Sequence, residues 1–147
     1  MLEALALARK AAEEGEVPVG CVIVRDGVVV GRGYNTREAD QNALAHAELS
    51  AIAEACQTVG FWRLPDCEMF VTLEPCPMCA GAVINSRIAK VTFGAADPKA
   101  GACGSVVDLF SYPFNHKPEV IGGVLAEESA ALLSGFFRDL RDKNRNA

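Results

Sequence analysis

No apolar run in this 147-residue chain approaches the roughly 18 residues that a membrane span needs. The opening MLEALALARKAAEE is rich in Leu and Ala, but Glu3, Arg9 and Lys10 interrupt it. It has neither the apolar core nor the small-residue cleavage site of a signal peptide. An excess of positive charge is missing too: 14 Lys and Arg stand against 19 Asp and Glu, leaving −5. That excludes a uniformly basic nucleic-acid binder but not a local basic patch, because binding depends on where the charge sits. No linker, internal repeat or low-complexity stretch divides the chain. What remains is the profile of one globular domain, residues 1–147, with 50% apolar and 22% charged residues. A chain of this size buries roughly 68–70% of its unfolded surface and needs no disulfide staples. The expected location is the cytoplasm, with no membrane partner.

The patterning predicts helices over about 2–14, 45–57, 77–86 and 126–143, and a short one around 105–110. Strands are expected near 19–24, 28–30, 69–73, 91–93 and 119–124. Asp26-Gly27 lies between two β-branched runs, which is the signal of a hairpin whose central residues take positive φ. Residues 34–43 read as a polar turn, and 94–104, GAADPKAGACG, as a Gly-rich loop. Leu133, Phe136, Phe137 and Leu140 repeat at helical spacing, so core packing is their default role, as it is for Trp62. Strands alternating with helices imply an α/β fold, a mixed sheet covered by helices on both faces.

Two short stretches carry the chemistry. In Pro75-Cys76-Pro77-Met78-Cys79 a strand hands over to a helix. Pro77 suits the first helical position and so puts Cys76 at the N-cap, where free N–H groups favour a thiolate. Cys76 and Cys79, three apart, share a helix face and can grip one ion. On its own a C-x-x-C is equally a redox pair or two packed thiols. His46, in His46-Ala47-Glu48, adds an imidazole. Two thiolates and one imidazole make three ligands, the number that leaves a catalytic zinc its fourth position for water. Glu48 lies two residues beyond His46; at a helix mouth it can face the same pocket and carry protons. Among the other cysteines, Cys21 and Cys56 read as small core hydrophobes. Cys67 starts a strand, and Cys103 is the candidate for a fourth ligand.

H-x-E followed by P-C-x-x-C is the signature of zinc nucleobase deaminases. Beyond it, GEVPVG at 15–20, Tyr34-Asn35, AHAE at 45–48, VTLEPCPMCAGAVINSRI at 71–88, FGAADPKAGACGS at 93–105, FNH at 114–116 and LLSGFFRDLR at 132–141 resemble the bacterial tRNA-specific adenosine deaminases, over about residues 2–143. The resemblance implies a three-layer αβα sandwich of the cytidine-deaminase type with a five-stranded mixed sheet. It implies a homodimer with one zinc per subunit. It also implies hydrolytic deamination of the wobble adenosine of a tRNA anticodon, typically that of an arginine tRNA, to inosine. His46, Cys76 and Cys79 would then hold zinc, and Glu48 would shuttle protons while an activated water attacks C6. Asn35 would contact the flipped nucleoside. Asp97, Lys99, Phe136 and Arg138 would border the RNA. The chain departs from some members at 41–45, Gln-Asn-Ala-Leu-Ala, just before His46.

Two other readings use the same residues. A deaminase of a free base or nucleoside, guanine or cytosine for example, would share the zinc and Glu48. It would not need the DPKAG loop or the basic tail, where Arg138, Arg141, Lys143 and Arg145 oppose only Asp139 and Asp142. A non-catalytic zinc-stabilised RNA-binding module would not need Glu48 and would close the metal with a fourth protein ligand.

Overall fold

A computed structural model describes residues 1–147. The sheet has five strands: β1 (Gly20–Arg25), β2 (Val28–Tyr34), β3 (Cys67–Leu73), β4 (Lys90–Ala95) and β5 (Glu119–Ile121). Their order is β2-β1-β3-β4-β5; β1 pairs antiparallel with both β2 and β3, while β3, β4 and β5 run parallel. The β1–β2 hairpin turns at Asp26 and Gly27, with φ of 51° and 76°, as the Asp-Gly pair requires. The sheet is therefore mixed, as expected.

Helices cover both faces. On one lie α1 (Leu2–Glu13) and α5 (Ala126–Arg145); on the other lie α3 (Ala47–Val59) and α4 (Pro77–Ser86). Small residues let the helices sit close on the sheet. Ala47, Ala51 and Ala55 of α3 are fully buried over Gly31 and Gly33 of β2. A Cβ on Gly33 would lie only 2.2 Å from the Ala47 carbonyl oxygen. The main core fills the α3–α4 side, where Ile23, Met69, Val71, Val83, Ile88 and Val91 are fully buried. β3 and β4 carry near-continuous apolar runs because helices cover both of their faces.

Several expectations need correction. Residues 34–43 contain a one-turn helix, α2 (Arg37–Asp40). The buried carboxylate of Glu16 accepts the N–H groups of Glu38 and Ala39 at 2.9 and 2.8 Å, and this fixes the turn. The helix expected around 105–110 shrinks to a 3₁₀ turn at Leu109–Ser111. Gly104 has φ of 131°, the Val106 N–H turns back to the Gly101 carbonyl, and Cys103 bridges Asp108, so the preceding residues form turns instead of a helix. β5 stops at Ile121 because Gly122 packs against the Phe93 ring and Gly123 turns to φ 87°. The apolar face of α5 is not core: Phe137 and Leu140 are each 42% exposed, and only Ser129 of this helix is fully buried. α5 rests on β4 and α1, and its remaining turns extend beyond that contact. Trp62 is half-exposed, with the Arg63 guanidinium 4.8 Å from its ring centre.

Candidate active site

Two helix N-termini converge on one point. His46 is the N-cap of α3 and Cys76 the N-cap of α4, with Pro77 at the first helical position. Both positions aim backbone N–H groups and the positive end of a helix dipole at the same place. The His46 Nδ1 lies 3.7 Å from Cys76 Sγ and 3.5 Å from Cys79 Sγ. With bonds of about 2.3 Å to sulfur and 2.0–2.1 Å to nitrogen, a tetrahedral zinc spaces such atoms about 3.6 Å apart. The donor set thus fits zinc in kind and in spacing. No fourth His, Cys, Asp or Glu joins the cluster; Cys103 lies outside it.

The two thiols are shifted in opposite directions. Cys76 is held down to about 4, chiefly by the hydrogen bond from the Cys79 thiol, with His46 adding to it against the opposing effect of burial. Cys79 is pushed far up because its proton serves Cys76 and its site is buried. His46 is raised by its contact with Cys76. A thiolate next to an imidazole is a soft, negative site ready for a divalent cation.

Beside the cluster opens a cavity of about 170 Å³. Val17, Val19 and Leu73 form its apolar wall; Asn35, Arg37, Glu48, Glu74 and Asp97 bring polar groups to it. Glu48 is 4% exposed, and burial raises its carboxyl above the ordinary range. It faces the cavity with His46 although it is not in the ligand cluster. Asn35 is buried: its Nδ2 donates to the Val17 carbonyl at 3.1 Å, and its Oδ1 accepts from the Arg37 N–H at 3.0 Å. Asp97 lines the cavity and accepts the N–H groups of Lys99 and Ala100.

The remaining candidates lie apart. Lys99 is exposed on the loop, and Arg138 is exposed on α5. Phe136 lines a separate groove between α1 and α5 with Ala12, Leu132 and Leu140. Sequence reasoning missed Arg37 and Glu74. The signal for Glu74 is an acidic residue closing the apolar strand MFVTL just before Pro75.

Comparison with known proteins agrees with this geometry. Residues 1–95 match the cytidine and deoxycytidylate deaminase zinc-binding region. The chain belongs to this deaminase family. Its cofactor is zinc, in keeping with the His-Cys-Cys cluster. The chain is 52% identical to the tRNA-specific adenosine deaminase of Bacillus subtilis (strain 168), aligned over 100% of this chain and 92% of that protein. It is 43% identical to the tRNA-specific adenosine deaminase of Streptococcus pyogenes serotype M18, over 100% and 93%. A structure solved in a study of A-to-I editing by tRNA:A34 deaminases at the wobble position superposes with a TM-score of 0.86. That match has 46% identity and covers 88% of this chain and 95% of the other.

Proposed function

We propose that this deaminase hydrolyses the wobble adenosine of a tRNA anticodon to inosine, with residues 1–147 acting as one catalytic domain. The observation that carries the reading is a three-ligand metal cluster with no fourth protein donor, opening on a cavity that holds a buried, non-ligating carboxylate. A purely structural zinc site is usually closed by four ligands. The full-length identity to tRNA-specific adenosine deaminases supports the tRNA substrate over a free base.

His46, Cys76 and Cys79 would hold the zinc. When bound, zinc makes a water nucleophilic at neutral pH. Adenine stacked in RNA hides C6, so the nucleotide must swing out into the cavity. Glu48, raised by burial, accepts a proton from the attacking water and delivers it to N1 of the base. It next takes the proton of the new C6 hydroxyl and delivers it to the amine as the C6–N bond breaks, so that adenosine and water give inosine and ammonia. Asn35 would hold the nucleoside with the polar valences that Val17 and Arg37 leave free. Asp97, Lys99, Phe136, Arg138 and the exposed end of α5 form the RNA border in this reading.

A homodimer belongs to the same proposal, supported by the exposed apolar side chains Phe61, Trp62, Tyr112 and Phe114 that a second copy could cover. A tRNA substrate places the work in the cytoplasm; no helix is long and apolar enough to cross a membrane. The test offers the zinc-loaded protein an arginine anticodon stem-loop with adenosine at the wobble position, and separately free adenosine, guanine and cytosine. Inosine in the stem-loop alone is expected. Turnover of a free base with the stem-loop untouched would overturn the substrate assignment.

A further inference from the structure

Glu74 is a buried carboxylate that the mechanism does not use. It is 3% exposed and forms no ion pair. Its charge is met by four donors, all from one loop. Oε1 accepts the Asp97 N–H at 3.0 Å and the Ser105 hydroxyl; Oε2 accepts the N–H groups of Cys103 at 2.9 Å and Ser105 at 3.1 Å. A buried charge is tolerated when its lone pairs are filled in this way, and hydrogen bonds to a charged acceptor are the strong ones. The same loop is tied once more to the ligand-bearing turn, where the Ala102 N–H donates to the Pro75 carbonyl at 2.8 Å. At the closest approach there is no room for a side chain: a Cβ on Gly101 would lie 2.4 Å from the Glu74 carboxylate. The loop so gathered carries Asp97 and Ala100 into the cavity wall.

We propose that Glu74 is the positioning residue of the substrate cavity: its carboxylate clamps the Asp97–Ser105 loop to the turn that carries Cys76, and so sets the wall against which the substrate base is held. This rests on the deaminase reading above. It assigns Glu74 no contact with reacting atoms. The clamp needs four acceptor valences on two oxygens. An amide in place of the carboxylate supplies one oxygen and one donor nitrogen. Placed in its least costly orientation, the amide nitrogen can donate to the Ser105 oxygen but leaves the Asp97 N–H without a partner, freeing the start of the loop.

The experiment compares zinc-loaded wild type with Glu74→Gln and Gly101→Ala. The second variant pushes on the carboxylate, and on the Asp97 carbonyl oxygen 2.6 Å away, without altering the charge of Glu74, and covers the case in which Glu74→Gln fails to fold. Zinc per chain, hydrogen exchange by segment, and kcat and KM on the wobble-adenosine stem-loop are read for each. One zinc per chain is expected throughout. Exchange over residues 96–106 should quicken at least tenfold while α3 and α4 exchange as in wild type. KM should rise at least tenfold, with kcat changing less. A merely structural role would instead show as faster exchange across the whole chain with loss of zinc, and that result would overturn the assignment. So would an active wild type whose variants match it in loop exchange and in KM. A wild type inert on the stem-loop would overturn the tRNA-substrate reading on which this proposal rests, and is distinguished by that alone.

Discussion

Substituting Gly33 with alanine tests whether the sheet dictates where the catalytic helix sits. A Cβ at Gly33 would lie 2.2 Å from the Ala47 carbonyl oxygen, 2.8 Å from the Ala51 nitrogen and 2.9 Å from Ser50 Cβ. Ordinary non-bonded contact begins at roughly 3.5 Å, so α3 must move away from β2 by more than about 1 Å. The nearest atoms are backbone, and no rotamer change relieves them. Overpacking of this kind costs about 1–3 kcal/mol. At about 2–4 °C per kcal/mol for a domain of this size, Tm should fall by about 2–12 °C. The function should suffer more than the stability. Ala47 sits between His46 and Glu48 in the chain, so a shift of α3 moves both relative to Cys76 and Cys79, and misplacement by about 1 Å costs on the order of 100-fold. Calorimetry and steady-state deamination of the zinc-loaded protein measure the two effects. Gly135→Ala is the control for stability. Its Cβ would meet only an Arg138 side-chain nitrogen at 3.7 Å, and alanine is the better helix former there by about 0.5–1 kcal/mol. A Gly33→Ala protein with Tm within a degree of wild type and kcat within twofold would refute the packing argument.

Glu48→Gln should keep one zinc per chain and lose about 100- to 10,000-fold in kcat, the range a positioned acid–base group supplies; metal analysis with single-turnover kinetics checks both halves. Removing zinc with a chelator should abolish turnover and lower Tm. With free zinc restored to about 1,000 times its dissociation constant the stabilisation is about 4 kcal/mol, or about 8–16 °C, and differential scanning calorimetry reads it. Charge reversal at Arg138 and Arg141 together should weaken stem-loop binding and flatten its dependence on salt, because fewer counterions are released. A filter-binding series across salt concentrations that gives parallel lines for wild type and variant would remove α5 from the RNA interface.

What the sequence made legible was local. Asp26-Gly27 encodes its own turn, and Pro77 encodes a helix start that leaves Cys76 at the N-cap. Cys76 and Cys79 alone read equally as a redox pair or packed thiols; it is the combination of H-x-E with P-C-x-x-C that makes His46, Cys76 and Cys79 readable as ligands. The stripe Leu133, Phe136, Phe137 and Leu140 is also readable, but periodicity says only that a face is apolar and not how much of it a neighbour covers. In the fold α1 and β4 cover part of it, and Phe137 and Leu140 stay partly exposed. Glu16 and Glu74 were illegible for a different reason: their partners lie 22 to 31 residues away in the chain.

Set beside those two acids, Glu48 is the one whose surroundings suit the proton-carrying role proposed for it. All three carboxylates are buried, and their surroundings differ in the donors supplied. Glu16 takes two backbone N–H groups from α2, and Glu74 takes three from the 97–105 loop together with a hydroxyl. For Glu74 these donors outweigh burial and hold the carboxyl below its ordinary range, so it remains a fixed anion. Glu48 receives no backbone donor from a distant segment, and burial raises it instead. A carboxylate saturated with N–H groups organises a loop but has no lone pair to spare for a proton. One left short of donors beside a metal cluster can take a proton and give it back. In the proposed mechanism the chain thus divides one residue type between two tasks by where it places backbone N–H groups.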